Sequence, residues 1–189
     1  MDKKNFLIDE LGAESIAELT QRLVKDSAII EYSQIPEIDL YMDQLTTFIE
    51  EKLKAGRRNA EDKILTKTMI NNYTKDKILP PPDKKKYNKE QISLLILIYH
   101  LKTGMAISDI SKLFESAKKS GMSVETLYLA FESLNKSQLE RLSGQIDGVI
   151  EETAHISPDC GSEKINVILS LILEANLKKR LAERLIDTL

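Results

Sequence analysis

One cysteine, seven glycines, five prolines and 5% aromatic residues are sparse for a chain of 189 residues, and each shortage closes off a class of protein. A lone thiol, Cys160, forbids an intrachain disulfide and leaves a thiolate zinc site short of ligands. So few glycines and prolines supply too few turns for a many-stranded sheet. Long apolar runs are missing as well. The opening stretch "MDKKNFLIDELGAES" reaches an acid after two or three apolar residues, where a signal peptide needs a run of about seven or more. The greasiest segment, "ISLLILIYHL", is about half the ~20 residues that a membrane crossing requires. The expectation is a cytoplasmic protein with no membrane partner.

Catalytic signatures are also lacking. The chain has no glycine-rich phosphate loop and no serine or cysteine in a nucleophile elbow. Acid pairs such as Glu50–Glu51 and Glu151–Glu152 read as solvated helix faces, and His100 sits on the apolar segment as a core histidine would. In "HISPDC", His155, Asp159 and Cys160 give a single soft ligand beside Pro158 and Gly161, which mark a break between helices. A metal site needs three or four ligands in fixed geometry. The reading is non-enzymatic, with no cofactor and no metal.

What is present is helical spacing. Apolar residues recur at three- and four-residue intervals throughout, so the fold class expected is all-α. A first helix carries Ile16, Leu19, Leu23 and Ile29, with Glu14 near its positive end. After Pro36 a second is expected over about 38–54, burying Leu40, Met42, Leu45, Phe48, Ile49 and Leu53. A short third occupies about 66–77. Asn88 and Gln91 have capping-box spacing and open a helix that is apolar on nearly every side through Leu101. Ser108 and Ser123 are expected to cap the next two, and Ser137 to open another. A last helix of about 25 residues carries Ile165, Ile168, Ile172, Leu177, Leu181 and Leu185. Its mixed three-, four- and five-residue steps fit either a stripe packed inside the chain's own bundle or a homodimer seam. The expected organisation is an N-terminal helical extension over 1–36, a central domain over 37–118 and a C-terminal helical region over 119–189 that contains the possible dimerisation helix.

Charge is unevenly placed. Residues 52 to 102 hold 13 Lys or Arg and 5 Asp or Glu, a local +8, so the rest of the chain carries −11 within the overall −3. A basic middle in an acidic protein points to an anionic partner. The stretch "TKTMINNYTKDKILPPPDKKKY" adds the chemistry. Helix 66–77 would bury Leu65, Met69, Ile70, Tyr73 and Ile78, leaving Lys67, Thr68, Asn71, Asn72 and Lys75 outside. Asparagine pairs bidentately with adenine, and lysine contacts phosphate. Three consecutive prolines force extended geometry before Lys84, Lys85 and Lys86. Tyr73 or Tyr87 offers a phenol to a phosphate oxygen.

The segment "TKTMINNYTKDKILPPPDKKKYNKEQISLLILIYHLKTGMAISDISKLF" resembles the DNA-binding half of MerR-type regulators. That resemblance puts Ile70 at the core leucine position of a recognition helix, and Asn71, Asn72 and Tyr73 at its DNA-facing positions. It makes Ile78-Leu79-Pro80 the turn into a wing that closes at Lys86-Tyr87. Asn71 stands where an arginine is usual, Lys77 where a glycine is usual, the wing is short, and the turn between the two helices is lengthened by "AGRRNAEDK". Through "IPEIDLYMDQLTTFIEEKL" and "ILTKTMINNYTKDKILPPPDKKKY" the chain resembles a bacterial family, the domain of unknown function numbered eighteen thirty-six. The two resemblances imply a MerR-like winged helix-turn-helix embedded in a helical bundle. The function expected is a dimeric DNA-binding transcriptional regulator contacting double-stranded DNA, and the alternative is a protein–protein interaction module of the same fold.

Overall fold

Side-chain caps decide where most of the helices begin. Ser15, Thr66, Asn88 and Ser123 each accept the backbone N–H three residues on, which satisfies a donor that the helix itself leaves unpaired. The helices are α1 (Ile16–Asp26), α2 (Met42–Leu53), α3 (Lys67–Lys75), α4 (Lys89–Leu101), α5 (Ile107–Lys119), α6 (Val124–Thr153) and α7 (Glu163–Ile186). The computed structural model describes residues 15–27, 29–57, 59, 61–154, 156 and 163–189. Helix accounts for 71% of it. The strands among the described residues are two antiparallel two-residue pieces, β1 (Leu40–Tyr41) and β2 (Lys86–Tyr87), with Leu40 opposite Tyr87 and Tyr41 opposite Lys86. The protein is all-α, as its apolar spacing predicts.

The element boundaries differ from the sequence reading in four places. The first helix ends at Asp26, so Ile29, expected on its apolar stripe, lies beyond it. The second helix starts at Met42 rather than near 38, because Leu40 and Tyr41 are taken up by β2 and Gln44 Oε1 accepts the Tyr41 N–H at 3.0 Å. The fifth has Ala106 at its N-cap position, two residues before Ser108, which lies inside the helix. The two helices expected around Ser123 and Ser137 are the single 30-residue α6. No glycine or proline interrupts Asn135–Ser137, and Ser137 is absorbed into the helix surface, where its Oγ accepts from Arg141 at 2.6 Å. In α1, Leu19 and Leu23 stay exposed while Thr20 is buried. Glu14, His155, Asp159 and Cys160 lie outside the described residues.

Helix α4 is the centre of the molecule. Eight consecutive residues, Gln91 to Ile98, are buried, so neighbours cover every face of it. One hydrophobic cluster runs from Ile30 to Tyr128 and takes in Leu45, Ile70, Leu95 and Ile110. Each fully buried aliphatic side chain there contributes about 1.5–3 kcal/mol. Polar ties close the cluster: Tyr128 Oη donates to Ile30 O at 2.6 Å, and Lys102 Nζ donates to Ile64 O at 3.2 Å. A smaller apolar contact, with Ile146, Val149, Val167 and Ile186 buried, holds α7 against the rest. Helix α7 packs along α6, and its far end reaches α5, where Lys112 Nζ lies 3.7 Å from Asp187. Among the described residues no helix is long and apolar enough to cross a membrane.

Candidate nucleic-acid interface

Helix α3 has one greasy face and one polar face. Thr66 caps it by accepting the Met69 N–H at 3.2 Å. Ile70 and Tyr73 are buried in the core, and Lys67, Thr68, Asn71, Asn72 and Lys75 are exposed. Both asparagines therefore carry free amide edges on the outer face. Lys67 pairs with Asp43 of α2, whereas no ion pair among the described residues engages Lys75.

The helix ends in a six-residue lock. Ile78 N–H donates to Tyr73 O at 3.0 Å and Lys77 N–H to Thr74 O at 3.1 Å, with Ile78 and Tyr73 buried together. This is the Schellman pattern, whose C′ residue must turn left-handed. Lys77 takes that position with φ of 58°. Helix α5 closes with the same pair of bonds, Met122 N–H to Ala117 O and Gly121 N–H to Lys118 O, and places Gly121 at φ of 79°. Glycine suits such a site and a side chain strains it by about 1 kcal/mol. The departure from the glycine expected after a recognition helix is thus real in geometry: lysine stands in the glycine's conformation.

The proline–lysine segment 80–87, expected from the sequence to be a wing and called so below, repeats the substitution. Lys86 N–H donates to Asp83 O at 2.8 Å, closing a turn whose central residues, Lys84 and Lys85, have φ of 45° and 67°. Positive φ at both central positions marks a type I′ hairpin, the setting in which Asn-Gly is favoured. Lys77, Lys84 and Lys85 are the non-glycine residues with positive φ among the described residues, and all three are exposed. Lys86 is half-buried, with its ammonium 5.0 Å from the centre of the Tyr41 ring.

Two supports hold the wing in place. The β1–β2 pairing ties its closing strand to the residues immediately before α2. Gln91, buried at the start of α4, donates from Nε2 to Pro80 O at 3.1 Å and to Pro81 O at 2.8 Å, while its Oε1 accepts the Asn88 N–H at 2.9 Å. Proline carbonyls have no neighbouring proline N–H to bond, so a side-chain amide supplies the donor. Behind helix and wing lies a cleft of about 610 Å³, lined by Leu79, Pro81, Leu94, Phe114 and Leu127 among others.

Of the ten residues expected at the interface, eight are exposed or half-exposed: Lys67, Thr68, Asn71, Asn72, Lys75, Lys84, Lys85 and Lys86. The tyrosines are a correction. Tyr73 and Tyr87 are 7% and 2% exposed, both rings belong to the core, and burial pushes their phenols above the ordinary range. Their job is to seat α3 and β2. Two residues that the sequence reading did not place here are Lys77 and Gln91. A helix-ending position filled by lysine was the available sign for the first, and a capping-box glutamine downstream of prolines for the second.

No curated protein and no solved structure matches the chain. Residues 30–131 match the family described as Domain of unknown function (DUF1836), and that span contains the whole of the Ile30–Tyr128 core cluster together with α3 and the wing. It covers more than half of the 189 residues, and the chain belongs to this family.

Proposed function

We propose that the protein is a cytoplasmic DNA-binding transcriptional regulator with a MerR-like winged helix-turn-helix, in which α3 enters the major groove and the 80–87 wing contacts backbone or minor groove. The observation that carries the reading is the use of lysine at Lys77, Lys84 and Lys85, each in a conformation that glycine or asparagine adopts at lower cost. Strain accepted three times over for an exposed cation is accounted for by a polyanion that the cations meet. Asn71 and Asn72, exposed between them and the helix start, are of the type that reads adenine edges. Two copies acting together, joined through the C-terminal helix, complete this reading.

Fluorescence anisotropy with a labelled random duplex tests it. Replacing Lys84 and Lys85 with alanine weakens binding to all sequences alike, whereas Asn71→Ala or Asn72→Ala alters the ranking among sequences. Absence of duplex binding at low salt would sink the proposal. The 610 Å³ apolar cleft behind the wing favours a second reading, a protein-interaction module. Partners that survive nuclease treatment of an extract, found together with no duplex binding, are its signature.

A further inference from the structure

The cleft behind the wing has the size of a small-molecule site. Its volume of about 610 Å³ falls within the ~300–1,000 Å³ usual for ligand pockets. One wall is the end of α3 and the turn into the wing, with Thr74, Lys77 and Leu79. The other is the α5–α6 corner, with Phe114, Met122 and Leu127, and α4 adds Leu94. Both walls are held by the same kind of lock. Ile78 N–H on Tyr73 O ends α3, and Met122 N–H on Ala117 O ends α5. The walls are therefore fixed before anything enters, which lowers the cost of binding. Phe114 and Leu127 are only half-buried and Met122 is 41% exposed, so apolar surface is left for an occupant to cover.

Charge selects the kind of occupant. Lys77, Lys118, Glu90 and Glu115 line the cleft, and none of them enters an ion pair among the described residues. Each has a local answer. Glu90 stands in the first turn of α4, at that helix's positive end, and Glu115 has Lys119 one turn on along α5. Lys118 and Lys77 stand at the negative ends of α5 and α3. These four nearly cancel, so the wider field decides. Residues 52–102, which supply α3, the wing and α4, carry +8, whereas residues 107–127 of the α5–α6 corner hold three basic and three acidic side chains. A cleft with apolar walls in a net positive field concentrates anions. Lys77 adds a cation kept at its rim in spite of a φ of 58°.

We infer that the cleft binds a small organic anion, an apolar ring or branched body carrying one carboxylate. The body lies against Leu79, Leu94, Phe114 and Leu127, and the carboxylate is directed toward Lys77 and Lys118. The site belongs to the free protein and stands or falls apart from duplex binding. Three naphthalenes of one shape test it: naphthoate, naphthylmethanol and naphthylmethylammonium, each titrated into the full chain by calorimetry and by amide NMR. Naphthoate binds with a dissociation constant of about 1 mM or tighter, as expected for a ligand of its size. It shifts the amides of Leu79, Leu94 and Met122, and it binds at least about tenfold more tightly than the ammonium. Lys77→Gln and Lys118→Gln each weaken naphthoate by about two- to fivefold and leave the alcohol unchanged. Ala117→Trp fills the cleft and removes binding of all three. The two lysine changes, made on exposed side chains, decide the case if the tryptophan variant does not fold. Failure of all three probes to bind would hand the cleft to a protein partner and overturn the inference. So would an ammonium that binds as tightly as the carboxylate, or lysine variants that weaken alcohol and carboxylate alike. Shifts confined to the exposed leucines of α7 would also overturn it.

Discussion

Three lysines at positive φ set the residue-scale problem, because a side chain in the left-handed region costs about 1–2 kcal/mol. Lys77→Gly is therefore expected to raise the unfolding free energy by about 1 kcal/mol in urea denaturation, and Lys85→Gly to act alike, while both weaken duplex binding. Gain of stability with undiminished binding would separate the strain from the proposed function. In the sequence, Lys77 is visible only as a glycine that is missing. Its φ follows from the Schellman lock, which depends on Ile78 meeting Tyr73 in the core. The tyrosines show the converse: an amphipathic ring beside lysines reads equally well as contact or as core, and packing alone decides.

His100 supplies a second test at this scale. It is largely buried at the end of α4, its ring centre 5.1 Å from that of Tyr99 and 5.5 Å from that of Phe131, and its Nε2 has no hydrogen-bond partner. Burial lowers its pKa to about 4, against ~6.5 for an unfolded histidine. The unfolded chain then binds the extra proton between those values, so the stability from the neutral ring is complete above pH ~6.5 and is lost as pH falls toward 4, by about 1–3 kcal/mol. His100→Phe should flatten this part of the pH–stability profile relative to the unaltered chain. A parallel offset with the same slope would show that another group carries the titration.

At the scale of elements, Gln91 joins two of them. One side chain completes the α4 cap and satisfies two proline carbonyls, so Gln91→Leu leaves three backbone groups without their partner and should cost about 1–3 kcal/mol. Hydrogen exchange is the more specific readout. The Lys86 amide, which closes the wing turn, should exchange faster in this variant while amides in the middle of α4 keep their protection. Unchanged exchange at Lys86 would mean that the β1–β2 pairing alone holds the wing. The capping box of α4 was legible from Asn88 and Gln91 because it is local in sequence, whereas β1 was not. Leu40 and Tyr41 extend the apolar pattern of α2, and only a partner more than forty residues away makes them a strand. Continuity of α6 escaped for a related reason, since a serine that favours caps is tolerated inside a helix when nothing else breaks it. The α7 pattern was read correctly as apolar, but exposure of its leucines is a property of the packed chain.

For the whole molecule, one cluster from Ile30 to Tyr128 defines the folded unit and coincides with the family span of residues 30–131. The all-α class and the buried centre at α4 were readable from periodicity, which is a sum over many residues and survives local errors. The local +8 was likewise plain in the composition of residues 52 to 102, though its meaning depends on which cations are spent internally. Lys67 answers Asp43, Arg57 answers Glu50 and Lys89 answers Glu37. Lys75, Lys77, Lys84 and Lys85 enter no ion pair among the described residues. On α3, the turn that ends it and the 80–87 segment, those four are also exposed, whereas Lys86 is half-buried over the Tyr41 ring, and they set the size of the proposed electrostatic footprint. The most direct measurement is duplex affinity against salt concentration for the unaltered chain and for the Lys84→Ala, Lys85→Ala double variant. With four phosphate contacts per copy, log affinity should fall against log salt with a slope of roughly −3.6 per copy, at about −0.9 per contact, and the double variant should lose roughly half of it. A flat line, or the same slope in both proteins, would contradict the account.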